Sequence, residues 1–158
     1  MIQRLVVSGL AILLATASLW VTPVAASSHY TATEVTFESG DGTELYGQLF
    51  RPAGYGDEDK TPVVVVITPY QSFLNFSTRP TLLYNELDVG MNLFEKGYSI
   101  LQVSLRGYGH SEGCGDFGGD GEQMDAKAAI EWAALQSWST GKVGTYGISY
   151  DGWTQVMG

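Results

Sequence analysis

Cysteine, histidine and positive charge are scarce in this sequence. Its 158 residues include one cysteine, Cys114, and two histidines, His29 and His110. A lone cysteine builds no disulfide framework and is either free or paired outside the sequence, and no His/Cys/Asp spacing resembles a zinc site. The 8 Lys and Arg residues stand against 17 Asp and Glu, a formal net charge of −9. Because so acidic a chain repels nucleic acid and no basic cluster offsets this, we expect no nucleic-acid partner. The lack of a ligand spacing leads us to expect no metal either.

Charge is also absent from the N-terminal segment after Arg4. Residues 5–26 are uncharged and rich in Leu, Val, Ala and Ile, and they end in Val24-Ala25-Ala26, the small residues that a signal peptidase recognises. We therefore predict a signal peptide over residues 1–26 and a secreted, extracellular protein over residues 27–158, without stable membrane association. The alternative is an uncleaved membrane anchor, since the run is just long enough to span a bilayer, although its proline and polar residues disfavour it.

The apolar pattern predicts an antiparallel hairpin followed by parallel strands. Residues 33–38 alternate between apolar and polar, and a Ser-Gly-Asp-Gly turn connects them to a returning strand over residues 44–50, which is typical of a hairpin. Residues 63–67 are continuous and β-branched, and residues 98–104 are similarly apolar, as in strands buried on both faces of a parallel sheet. A third short strand is predicted over residues 142–146.

Helices are predicted between and after these strands. A short one covers Val89 to Lys96, with Asp88 as its cap and Gly97 as its stop. The clearest covers Glu122 to Trp138, where alanines recur at helical spacing after an acidic first turn. Another begins near Trp153. Alternating strands and helices of this kind place parallel strands side by side with helices on both faces of the sheet.

Two serines stand in patterns that suggest a hydrolase nucleophile. Residues 109–113 (GHSEG) form a complete G-x-S-x-G around Ser111, whereas residues 147–152 (GISYDG) bring the second glycine one position late. A catalytic serine needs a base and a sharp strand-to-helix turn that holds its hydroxyl exposed. Ser149 has a strand before it and helical sequence after it, but Ser111 is followed by glycine-rich sequence in which no helix can begin. We therefore predict Ser149 as the nucleophile and assign Ser111 to loop hydrogen bonding.

The glycine-rich loop also resembles, loosely, a dinucleotide fingerprint through Gly107, Gly109 and Gly113. That fingerprint requires a helix that opens on the glycines and receives the pyrophosphate. Here the predicted helix starts about nine residues too late for this role. We therefore predict no nicotinamide cofactor.

The stretch around Ser149 resembles the G-x-S-Y-x-G elbow of the Xaa-Pro dipeptidyl-peptidase and cocaine esterase family of α/β-hydrolases. In that family the second glycine comes three residues after the serine. Three further stretches are similar to the family in order and spacing: Thr68-Pro69-Tyr70, Arg106 to Gly113 (RGYGHSEG), and Trp138 to Gly144 (WSTGKVG). The resemblance runs from about residue 34 to the last residue. One departure is Ser104, where the family often carries Asp, and we assign it to loop packing.

The resemblance implies an α/β-hydrolase fold, of which this chain would be the N-terminal half. It implies that Ser149 is the nucleophile, that the Tyr150 backbone N–H is one oxyanion donor, and that the Tyr70 hydroxyl is the other. Losing one such donor typically costs about 3–4 kcal/mol of transition-state stabilisation. The expected activity is acyl transfer from an ester, an amide or a peptide substrate, without a cofactor.

The catalytic triad is incomplete in this sequence. The fold's order is Ser, then Asp or Glu, then His, but Asp151 is the only acid after Ser149 and no histidine follows. We therefore expect an N-terminal fragment, inactive by itself, whose base lies beyond residue 158. The alternative is a non-catalytic exported binding module on the same fold; an Asp and a later His downstream would favour the enzyme. Peptidase and esterase activity both remain open.

Overall fold

The computed structural model describes residues 29–70 and 91–158. The strands are β1 (Tyr30–Glu38), β2 (Glu44–Pro52), β3 (Thr61–Thr68), β4 (Ser99–Ser104) and β5 (Ser139–Thr145), and the helices are α1 (Asp120–Leu135) and α2 (Tyr150–Thr154). The five strands form one sheet in the order β1-β2-β4-β3-β5. The predicted signal peptide lies outside the described residues.

The sheet joins an antiparallel hairpin to a parallel unit, as the sequence predicted. Strands β1 and β2 pair antiparallel around a turn in which Gly42 adopts a φ of 86°. Strand β2 continues antiparallel onto β4, whereas β3 pairs parallel with both β4 and β5. Because parallel strands end at the same edge, the ends of β3 and β5 bring their following residues close together.

Strands β3 and β4 are buried on both faces. Alternate side chains of a strand point to opposite faces, and two apolar clusters result. One contains Val65, Leu101 and Val103 together with the alanines of α1, while the other contains Val66 and Ile100. Burying a side chain of this size contributes roughly 1.5–3 kcal/mol to stability. The continuous β-branched run therefore has the position that its pattern predicted.

Helix α1 starts earlier and ends earlier than predicted. It begins at Asp120 because the Asp116 carboxylate accepts the backbone N–H groups of Gly121 and Glu122, at 2.8 and 3.2 Å. It ends at Leu135 because the next residue is extended, with a ψ of 147°. The predicted end at Trp138 was wrong, since the Trp138 carbonyl accepts a hydrogen bond from the N–H of Thr61 instead.

The short helix predicted over Val89 to Lys96 is not formed in its described part. Residues 91–97 make successive turns, and Asn92 adopts a left-handed φ of 52° that interrupts a helix. Val89 and the proposed cap Asp88 lie outside the described residues. Gly97 has a φ of 76° and ends the turns where a stop was predicted. Nowhere in residues 29–70 and 91–158 is a helix long and apolar enough to cross a membrane.

Candidate active site

Ser149 lies at a sharp turn between β5 and α2. Its backbone has a φ of 56° and a ψ of −127°, a conformation that residues other than glycine adopt at a cost of about 1–3 kcal/mol. The side chain is exposed to solvent. The turn thus presents the hydroxyl at the surface, and the surrounding contacts must compensate for the strain.

Two glycines allow the strand and the helix to cross closely at this turn. A Cβ added to Gly147 would lie 2.5 Å from the Asp151 backbone, and one added to Gly152 would lie 3.2 Å from the Gly147 carbonyl oxygen. The glycine three residues after the serine therefore faces the glycine two residues before it. This contact explains why Asp151 is tolerated at the position where the usual nucleophile pattern has glycine.

Helix α2 is tied to the sheet by its own side chains. The Thr154 hydroxyl donates to the Ile67 carbonyl at 2.9 Å, close to the end of β3. The Gln155 amide donates to the Gly147 carbonyl, also at 2.9 Å. Both bonds lock the backbone on either side of Ser149, so the strained conformation is held by the rest of the fold.

Tyr70 follows the end of β3 and reaches the turn. Its backbone N–H donates to the Thr68 hydroxyl at 3.1 Å. Its own hydroxyl donates to the Ser149 Oγ at 3.2 Å and accepts the backbone N–H of Tyr150 at 3.3 Å. The structure therefore brings together all three residues that the sequence analysis nominated.

The arrangement around Ser149 supplies a nucleophile and two oxyanion donors, which are two of the three parts that acyl transfer requires; the third is a general base. Attack of the Ser149 Oγ on a carbonyl carbon develops negative charge on the carbonyl oxygen. That oxygen can bind between the Tyr70 hydroxyl and the Tyr150 N–H. It then accepts a hydrogen bond from each of them, in place of the hydrogen bond that the N–H now donates to the hydroxyl. Both donors are fixed before the substrate arrives, which is the condition under which they stabilise a transition state most effectively.

Ser111 has the structural role that its context predicted. Its hydroxyl donates to the Ser104 carbonyl at 2.7 Å and accepts the Tyr46 backbone N–H at 2.9 Å. No helix starts at this loop, since α1 begins only at Asp120. The complete G-x-S-x-G pattern therefore marks a loop that is fastened to β2 and β4.

Asp151 is turned into the protein and is a feature that the sequence analysis did not anticipate. The residue is 1% exposed, and within the described part of the chain neither carboxyl oxygen has a hydrogen-bond partner of normal geometry. Burial raises the pKa of Asp151 to about 6, and the Thr68 hydroxyl, which lies near the carboxyl without such a bond, opposes the rise only in part. The Asp151 carboxyl, which lies beneath the turn, therefore stays protonated to a higher pH than the carboxyl of an exposed aspartate.

Arg106 forms a buried ionic network that sequence reasoning also missed. Its guanidinium donates to the Asp125 carboxylate through Nε and NH2, at 3.0 and 2.7 Å, and to Asp41 through NH1 at 2.7 Å. The Arg106 guanidinium holds the pKa of Asp41 well below its usual range. The network connects the β1–β2 turn to α1, so the Arg-Gly pair of the glycine-rich loop stabilises the fold.

The remaining candidate residues lie in other settings. His110 packs edge-on against the Tyr46 ring, with the ring centroids 4.9 Å apart. Cys114 is a free, exposed thiol. Across the two described ranges, no group of three or more His, Cys, Asp or Glu residues is placed to hold a metal ion.

Residues 41–158 match the sequence profile of the X-Pro dipeptidyl-peptidase (S15) family. The chain belongs to this family. Among curated S15-like relatives, a cocaine esterase from Rhodococcus sp. (strain MB1 Bresler) is 34% identical over 127 residues, which cover 78% of this chain. A putative Xaa-Pro dipeptidyl-peptidase from Streptomyces avermitilis is 32% identical over 117 residues, 59% of this chain. The matched regions are 20% and 17% of those two proteins, so the chain spans about a fifth of their length or less.

Solved structures of hydrolases share this architecture. An α-amino acid ester hydrolase superposes with a TM-score of 0.67 at 28% identity, covering 90% of this chain and 25% of that protein. A CocE/NonD family hydrolase from Staphylococcus aureus gives a TM-score of 0.63 at 30% identity, covering 80% of this chain and 24% of that protein. The fold is therefore that of an α/β-hydrolase, as the sequence resemblance predicted.

Proposed function

We propose that the protein is a serine hydrolase that cleaves an ester or amide bond by acyl transfer. The observation that carries this proposal is the meeting of the Tyr70 hydroxyl, the Tyr150 N–H and the Ser149 Oγ at a strained, exposed turn. Such strain has no structural use of its own and is characteristic of functional sites. Membership of the S15 family supports the same chemistry.

In the proposed mechanism, Ser149 attacks the substrate carbonyl and transfers its proton to a general base. The tetrahedral intermediate places its oxyanion between Tyr70 and Tyr150. The carbon–leaving-group bond then breaks, the base returns the proton to the departing alcohol or amine, and an ester of Ser149 remains. Water, deprotonated by the same base, attacks this ester and releases the acid.

We place the general base and its acidic partner after residue 158. In this fold the order along the chain is Ser, Asp or Glu, and then His. The chain spans a fifth or less of the two curated relatives named above, so those two proteins have ample sequence for both groups. On this proposal the 158 residues alone do not turn over substrate.

The substrate is proposed to be a small ester or amide, or a peptide with proline in second position. The names of the relatives carry the ester and the Xaa-Pro peptide, and the small amide is proposed because it undergoes the same acyl transfer. Activity on an Xaa-Pro p-nitroanilide that disappears when the substrate's amine is acetylated would favour a dipeptidyl-peptidase. Activity on simple esters that is indifferent to that amine would favour an esterase.

We also propose that the protein is exported and then lacks stable membrane association. The support is the uncharged N-terminal run followed by small residues at 24–26. Expression of the full-length natural protein with N-terminal sequencing of the secreted product tests this proposal. A mature product beginning at Ser27 is expected, and a product that retains Met1 in the membrane would contradict it.

The catalytic proposal is tested by substituting each serine in the full-length natural protein that contains this chain. We expect Ser149→Ala to lower kcat for a p-nitrophenyl ester by at least about 10³-fold. The matched control, Ser111→Ala, removes the serine of the complete G-x-S-x-G pattern and is expected to retain kcat. Hydrolysis that survives Ser149→Ala overturns the assignment, and a folded wild-type protein without any hydrolysis indicates the non-catalytic module.

A further inference from the structure

Glu122 is a completely buried carboxylate in the first turn of α1, with an exposed fraction of 0%. Its Oε1 accepts the backbone N–H groups of Asp116 and Phe117, at 3.2 and 3.3 Å. Its Oε2 accepts the Gly118 N–H at 2.8 Å and the Tyr150 hydroxyl at 2.6 Å. A charge is tolerated in such a place only when hydrogen-bond donors satisfy it, and here four donors converge on it.

The four donors come from two separate parts of the chain. Three are backbone groups of the loop that precedes α1, and they account for a structural role in fastening that loop. The fourth, the phenol of Tyr150, lies 28 residues further along the chain and belongs to the turn that carries Ser149. Loop fastening alone does not require this fourth bond, which is also the shortest of the set.

Tyr150 contributes its backbone N–H to the candidate oxyanion site, while its side chain is held elsewhere. Its ring packs edge-on against Trp153 at a centroid distance of 5.2 Å, and its hydroxyl is fixed by Glu122. Burial, together with the Glu122 carboxylate, raises the pKa of the Tyr150 hydroxyl, so it remains a hydrogen-bond donor. The backbone N–H and the side chain of Tyr150 are attached to adjacent atoms, N and Cα. Holding the phenol therefore limits rotation of the Tyr150 backbone and keeps the direction of its N–H fixed.

We propose that Glu122 is a positioning residue for the oxyanion hole, acting through the phenol of Tyr150. By holding that phenol, it keeps the Tyr150 N–H aimed at the point shared by Tyr70 and Ser149. This inference rests on the proposed function, because it assigns a role in stabilising the oxyanion. Small displacements of catalytic groups slow the chemical step, so we expect the loss of this positioning to lower kcat.

The chain offers a variant that separates positioning from folding. Tyr150→Phe removes the phenol bond and leaves the three loop bonds to Glu122 in place. The matched control is Tyr46→Phe, because burial and then the Glu34 carboxylate raise the pKa of the Tyr46 hydroxyl, and Tyr46 is 8% exposed in β2. Both variants lose one phenol that a carboxylate influences, but only one of these phenols belongs to the catalytic turn.

The experiment measures kcat, KM and thermal stability for Tyr150→Phe, Glu122→Gln, the double variant and Tyr46→Phe in the full-length natural protein. We expect Tyr150→Phe to lower kcat by about tenfold with KM little changed, and Tyr46→Phe to retain wild-type kcat. We expect the double variant to have the kcat of Tyr150→Phe alone, since Glu122 has no route to the oxyanion site once the phenol is removed.

Three results overturn the proposal and are distinguishable from one another. Wild-type kcat in Tyr150→Phe leaves Glu122 with a loop-fastening role only, while the proposed function stands. A double variant whose kcat falls by the product of the single effects shows that Glu122 does not act through Tyr150. Absence of hydrolysis in the wild type, with Ser149 unreactive, removes the proposed function and the positioning role together.

Discussion

Gly147 faces Asp151 across the Ser149 turn at a distance that leaves no room for a side chain. A Cβ at Gly147 would lie 2.5 Å from the backbone C and O and from the Cβ of Asp151. The chain can cross closely between β5 and α2 only because residue 147 has no Cβ atom. The placement of the Ser149 hydroxyl depends on that crossing.

Gly147→Ala is therefore expected to displace the turn. Because backbone must move to admit the methyl group, we expect kcat to fall by about 100-fold or more and the protein to lose roughly 1–3 kcal/mol of stability. The matched control is Gly144→Ala in β5, three residues before Gly147, where an added Cβ meets nothing within 4 Å. Equal effects of the two substitutions, measured by esterase kinetics and urea unfolding, would contradict this account of the turn.

Tyr70→Phe tests the second oxyanion donor. The variant keeps the ring and removes the hydroxyl that lies 3.2 Å from the Ser149 Oγ, so we expect kcat to fall by about 10²–10³-fold with little change in unfolding free energy. Tyr55→Phe, at a residue 42% exposed, is the control and should retain kcat. Unchanged kcat in Tyr70→Phe would assign Tyr70 to packing at the strand end.

Asp151→Asn tests the buried carboxyl beneath the turn. Burial raises the pKa of Asp151 from 3.8 to about 6, so the folded state keeps a proton that the unfolded chain has already released. Stability should therefore fall as the pH rises from about 4 to 6 and remain lower above that range. The amide does not titrate, so the variant should show a flatter profile and exceed the wild type at pH 7 by roughly 1–2 kcal/mol, which allows for solvent screening.

Chemical denaturation of the wild type and Asp151→Asn across pH 4–8 measures this difference. The account is contradicted if the unfolding free energy depends on pH identically in both proteins, because another group would then cause that dependence. A variant less stable than the wild type at pH 7 would show that the ionised carboxylate has a partner.

Asp125→Ala tests the buried network around Arg106. Asp125 is 0% exposed and accepts from the Arg106 backbone N–H as well as from its guanidinium. Removing it leaves a buried cation with its main partner gone, at an expected cost of about 3–5 kcal/mol. Glu131→Ala, which breaks the exposed pair with Lys127, should cost under about 0.5 kcal/mol. Similar unfolding midpoints for the two variants would refute this role.

The local sequence pattern was sufficient to predict a strand's position where the residue types themselves determine burial. The β-branched run of residues 63–67 is apolar on both faces, so its place inside a parallel sheet could be predicted. Pattern failed at the end of α1, where the predicted helix extends to Trp138 but the chain leaves the helix after Leu135 and the Trp138 carbonyl bonds Thr61. It failed again at residues 91–96, because the left-handed Asn92 leaves no signal in the apolar spacing.

The candidate site divides in the same way. Ser149 could be chosen over Ser111 from local context, because only one of them stands between a strand and a helix. Tyr70 lies 79 residues from Ser149, and only the family resemblance connected the two. The acidic position of Glu122 suggested a favourable interaction with the helix dipole, whereas its role depends on a contact with Tyr150 that no local pattern encodes.

The most direct test of the central claim is to map the adduct of a fluorophosphonate probe on the full-length natural protein by mass spectrometry. The account predicts one modified residue, Ser149, with labelling abolished in Ser149→Ala and retained in Ser111→Ala. Labelling that persists in Ser149→Ala, or an adduct mapped to Ser111, would contradict it.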